Sequence, residues 1–141
     1  MSRLDVQFLD EGLHRALFDA MPLPVFIVDE EVHVLECNSA AARLMGETRT
    51  KRKPQRIGSV LDCLHATETP GGCGRAAACG DCGLRSAVRA AFHGEPVKRR
   101  EARMQLVQRG KSTEVDLRVS CQPFSYGKSS FVLLVLEGLN N

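Results

Sequence analysis

Between residues 6 and 20 the apolar side chains Val6, Leu9, Leu13, Ala16, Leu17 and Ala20 recur at steps of three and four. Asp5, Asp10, Glu11, Arg15 and Asp19 fill the opposite side. This is the period of an amphipathic helix, which ends before Pro22. Two short β-rich runs follow, over residues 24–29 and 32–37, and Asp29-Glu30-Glu31 between them suits a tight hairpin turn. Asn38-Ser39 offers an N-cap to a short helix over 40–45, closed by Gly46. Residues 47–56 carry no apolar side chain and predict a solvated loop, and residues 57–64 resume a short helical pattern.

A Gly- and Cys-rich stretch fills 63–83. After it, Leu84, Ala87, Val88 and Ala91 mark one face of a helix over 84–92, with Asp81 as a candidate cap and Gly94 as its stop. Three strands complete the pattern. Ala102, Met104 and Leu106 alternate with polar residues, as do Val115, Leu117, Val119 and Cys121. Residues 131–136 are apolar on both faces, which predicts a central strand covered twice, by a helix of this chain or of a partner. Helix, two strands, helices, three strands is an α+β order with an antiparallel sheet.

The segment Met21-Pro-Leu-Pro-Val-Phe-Ile-Val-Asp29, followed by residues 34–38, Ala40-Ala41, Leu44 and Gly46, resembles the opening of a PAS sensory domain. Val132-Leu-Leu-Val-Leu-Glu137 resembles the last PAS strand, which often leads into a signalling helix. The resemblance implies a five-stranded antiparallel sheet with helices on one face enclosing a small pocket. It divides the chain into an N-terminal amphipathic helix over 1–20 and a PAS-like domain over 21–138 with a Cys-rich loop at 63–83. It also implies a sensing or dimerisation role, a homodimer, and an input position ahead of a C-terminal effector or beside a partner signalling protein of bacterial type.

At 141 residues the chain has the size of one domain, able to bury a core without disulfide staples. The longest apolar run is too short to cross a bilayer, and the first ten residues lack the apolar stretch of a secretory signal, so a reducing cytoplasm is expected. The six cysteines then call for another role. A net charge of +2, with no Trp and a single Tyr, argues against nucleic-acid binding. No catalytic motif of hydrolases, nucleotide-binding enzymes or metalloproteases occurs, so the chain does not read as an enzyme.

Cys63, Cys73, Cys79 and Cys82 fall in one segment with the spacing C-x9-C-x5-C-x2-C, interleaved with Gly71, Gly72, Gly74, Gly80 and Gly83. Thiolates that converge on one point need a backbone that curls tightly, which glycine permits. Cys79 and Cys82 precede a helix, where exposed N–H groups and the helix dipole favour thiolates. These four are the candidate cofactor and metal ligands. Zinc ordinarily takes two close pairs, and only Cys79/Cys82 form one, whereas an iron–sulfur cluster tolerates wider spacings. The expectation is an iron–sulfur cluster sensing redox state or oxygen, with zinc or a metal-free thiol pair as alternatives. The similarity to PAS domains with Cys-rich loops in sensor kinases points the same way. A small apolar ligand in the pocket is the remaining sensory alternative.

Cys121, in phase with Val115, Leu117 and Val119, reads as core, and Cys37 as packing. His65 could replace a thiolate but suits a solvated loop. His93 occupies a position where some PAS domains bind haem, yet fits the end of its helix electrostatically. The sequence argues against covalent haem and against a flavin photosensor, whose cysteine motifs are absent. The basic groups Arg49, Lys51, Arg52, Lys53, Arg56 and Lys98, Arg99, Arg100, Arg103 lack interleaved aromatics and read as solvated faces.

Overall fold

A computed structural model describes residues 11–45, 56–57, 61, 63, 82–108 and 110–138. Its elements are α1 (Glu11–Ala20), β1 (Val25–Val28), β2 (Val34–Cys37), α2 (Ser39–Met45), α3 (Gly83–Phe92), β3 (Val97–Gln108), β4 (Lys111–Tyr126) and β5 (Ser129–Glu137). The strands form one antiparallel sheet in the order β2-β1-β5-β4-β3. The last strand is therefore the middle one, which explains its apolar composition on both faces. Val132, Leu134 and Leu136 are fully buried on the helix side. Phe131, Leu133 and Val135 on the other face are only half-buried, so the expected double cover is complete on one side and partial on the other.

The inner face packs against α3, whose Leu84, Ala87, Val88 and Ala91 are all buried with Leu117, Val119 and Cys121 of β4. The helix ends as its sequence predicts. Gly94, at φ 99°, donates to the Ala91 carbonyl and Glu95 to the Ala90 carbonyl, both at 2.9 Å, the paired bonds that close a helix with a left-handed residue. The strands β3 and β4 are longer than their apolar alternation, because cross-strand main-chain pairing continues past it, with Val107 against Ser112 and Gln108 against Lys111.

At the other end of the sheet, Asn38 is the one buried polar residue of the described core. Its Oδ1 accepts the N–H of Ala41, at 3.0 Å, which is the predicted N-cap of α2. The β1–β2 turn is held by Asp29, whose Oδ1 accepts N–H bonds from Glu31 (3.0 Å) and His33 (2.9 Å). The next residue of this turn, Val32, is buried and lies at φ 59°, a left-handed conformation that β-branched residues rarely adopt. Residues 6–10 of the predicted 6–20 helix, Gly46, Asp81 and all of the 47–56 loop but Arg56 lie outside the described residues. Arg56 departs from the solvated-loop expectation. Its side chain is three-quarters buried and donates from Nε to the Glu31 carbonyl at 3.2 Å.

Candidate functional site

Each end of the cysteine segment is fastened to the body of the domain. On the upstream side, Ile57 is buried and donates its N–H to the Val32 carbonyl at 2.9 Å, and Leu61 donates to the Ile57 carbonyl at 2.9 Å, one helical turn further on. Cys63 is buried and pairs its main chain with Leu106, on the outer edge of β3. On the downstream side, Cys82 is the N-cap of α3, extended at φ −66° and ψ 119°, half-buried, with its thiol making no capping bond. Gly83 follows for a steric reason: a Cβ there would stand 3.3 Å from the Ala102 Cβ, so the start of α3 lies directly on β3.

The two docking points, Leu106 and Ala102, are four residues apart on one strand, about 13 Å. Residues 64–81 bridge them. Cys73 and Cys79, together with His65, belong to that bridge and lie outside the described residues. Among the described residues no three His, Cys, Asp or Glu side chains come together as a metal site. Cys63 and Cys82 are thus positioned as the fixed ends of a thiol-bearing segment, a donor chemistry that suits soft metals.

A cluster that periodicity does not single out stands beside these anchors. The Glu31 carboxylate faces Arg56 at 3.6 Å, Arg85 at 3.8 Å and Arg89 at 3.8 Å. Arg85 and Arg89 are one turn apart on the polar face of α3, a spacing visible in the sequence, but their meeting with Glu31, far earlier in the chain, is a product of the tertiary fold.

The remaining candidates have structural roles. Burial pushes the Cys121 thiol up to about 12, against a small opposing pull from Arg100, which fits the inert core cysteine expected. Cys37 packs against the core, and its carbonyl accepts a bond from Arg15 at 3.0 Å. His93 is exposed at the end of α3, its Nε2 3.3 Å from Glu30 Oε2. In the second basic group, Arg99 pairs with Glu137 at 3.1 Å and Arg103 with Asp116 at 2.8 Å, so these cations are engaged on the sheet surface. On the same outer face, beside β1, a concavity of about 400 Å³ is lined by His14, Arg15, Leu17, Phe18, Met21 and Ile27.

Residues 12–77 match the family model of the PAS domain. Over that stretch the chain is similar to a PAS domain. Solved structures repeat its fold across almost the full length. The PAS domain of nitrogen regulation protein NR(II) from Vibrio parahaemolyticus superposes with a TM-score of 0.58 at 14% identity, over 89% of this chain and 97% of that one. A domain of a sensory box sensor histidine kinase/response regulator from Geobacter sulfurreducens gives 0.55 at 21% identity, over 94% and 97%. The E. coli DhaR(N)–DhaL complex gives 0.55 at 17% identity, where the match covers 95% of this chain but only 37% of that one. No curated protein matches the sequence. Among the described residues no helix is long and apolar enough to cross a membrane.

Proposed function

We propose that this PAS domain is the sensory input of a bacterial signalling protein, in which the segment from Cys63 to Cys82 binds an iron–sulfur cluster, or another thiophilic metal, and reports redox state or oxygen. The observation that carries this reading is the anchoring on β3 of Cys63 and of Gly83, which follows Cys82, with Cys73 and Cys79 in the glycine-rich stretch of sequence between them. A cofactor held by all four thiols would tie the edge of the sheet to the start of α3. Its loss would release both. The domain acts in this reading without chemistry of its own, passing the change to an effector in the same or a partner chain.

The test is anaerobic purification followed by an absorption spectrum and metal analysis. Visible charge-transfer absorption with iron and acid-labile sulfide, bleached by air and lost on replacing Cys79 or Cys82 with Ser, supports the cluster. Stoichiometric zinc without colour shifts the reading to a structural staple. A colourless, metal-free protein overturns metal sensing.

A second reading, as a dimerisation module, is favoured by one specific observation. Leu17 and Met21, both exposed, line the concavity at α1 together with Phe18 and Ile27. Apolar side chains gathered at this density on one surface suit a second copy of the domain.

A further inference from the structure

The cysteine segment is flanked upstream by Arg56 and Ile57 and downstream by α3, and both flanks contact the same turn, residues 29–32. Upstream, Val32 accepts the Ile57 N–H through its carbonyl (2.9 Å), and Glu31 accepts Arg56 Nε through its own (3.2 Å). His33 also pairs with Arg56 in a main-chain bridge. Downstream, Arg85 and Arg89 reach across from the first and second turns of α3 to the Glu31 carboxylate, which also faces Arg56. One carboxylate thus stands among three guanidinium groups, two from beyond the segment and one from before it.

Each contact is loose, at 3.6 to 3.8 Å, and Glu31 is nearly half exposed, so no single pair is strong. Their geometry is what matters. If either flank moves away, the carboxylate keeps its partners on the other flank, and its position in the turn changes. That turn is already strained, because Val32 is held in the left-handed region by the bonds on either side of it, those of the Asp29 carboxylate and of Ile57. The turn also connects directly to the sheet centre: β1 pairs residue by residue with β5, from Val25 against Val135 to Val28 against Val132.

We propose that the β1–β2 turn is a latch in which Glu31 couples the two flanks of the cysteine segment to each other, and that strained Val32 passes their displacement into β1 and so into β5. The proposal deepens the sensory reading above, on which its biological use rests. The coupling itself is a property of the protein without any cofactor. It makes Glu31 a positioning residue, acting through the arginines and the turn.

The test is amide hydrogen exchange, read residue by residue by NMR on reduced, chelator-treated protein. The reporter is the Ile57 N–H, which lies upstream, while the perturbation, Arg85→Gln, lies downstream. The expected result is exchange at Ile57 faster by roughly threefold or more, with no further effect of Arg85→Gln once Glu31→Gln is present. Core amides of β4 report that the fold is intact in each variant. An Ile57 amide indifferent to Glu31→Gln overturns the latch. So does an Arg85→Gln effect of equal size with and without Glu31. A colourless, metal-free preparation would remove the cluster reading and leave this measurement standing, so the two failures are distinguishable.

Discussion

Asn38 Oδ1 accepts the main-chain N–H of Val25 at 3.0 Å, across thirteen residues of chain and with no exposure to solvent. The same oxygen caps α2 through Ala41, and Asn38 Nδ2 donates to the Leu23 carbonyl at 3.0 Å. One carboxamide therefore fixes where β1 begins and where α2 starts. Asn38→Ala strands two buried N–H groups and a carbonyl, and should cost about 3 kcal/mol. Urea denaturation measures this. A loss below about 1 kcal/mol would mean water replaces the side chain.

Val32 gives a prediction of reversed sign. Replacing it with Ala removes buried methyl groups and should cost about 2 kcal/mol. Gly removes slightly more volume and ordinarily costs more than Ala, but at φ 59° it relieves strain of about 1 kcal/mol or more. The Val32→Gly variant should therefore be the more stable of the two in thermal or urea unfolding. The opposite order would show that the turn carries no strain.

For Cys121, burial keeps the thiol protonated to about pH 12, far above its ordinary 9.0. An unfolded chain releases that proton near the ordinary value while the native state keeps it. The stability contribution is thus complete below pH 9 and is lost as pH climbs toward 12. Replacing Cys121 with Val should flatten the fall in unfolding free energy over this interval. In native protein at mildly alkaline pH, iodoacetamide should leave Cys121 unmodified. Rapid alkylation there would contradict its burial.

Leu17 is half exposed beside the α1 concavity. If a second copy covers this surface, Leu17→Glu should lower the association constant by roughly tenfold or more, as read by sedimentation equilibrium, and leave the melting temperature of the monomer unchanged. Unaltered self-association would move the interface elsewhere.

The sequence carried the fold where side-chain period and packing coincide. Leu84, Ala87, Val88 and Ala91 lie on the buried side of α3, Leu117, Val119 and Cys121 on the buried side of β4, and Asn38 at its cap, each where alternation or helical spacing places it. Strand ends were less legible. The pairing of Gln108 with Lys111 depends on main-chain bonds that any residue can make. The candidate site divides the same way. Clustered thiols are visible as a list of letters, but the contacts of Glu31 with Arg56, Arg85 and Arg89 join positions far apart in the chain, and only the folded turn reveals them.

The pairing of Cys63 with Leu106 has one more consequence. β3 is the last strand of the sheet, and its outer side would otherwise present unpaired amides and carbonyls at Leu106. Such a border invites another strand to add itself, and natural sheets guard against it. Here Cys63 covers that border. A displacement of Cys63 would open this stretch of β3 to another strand.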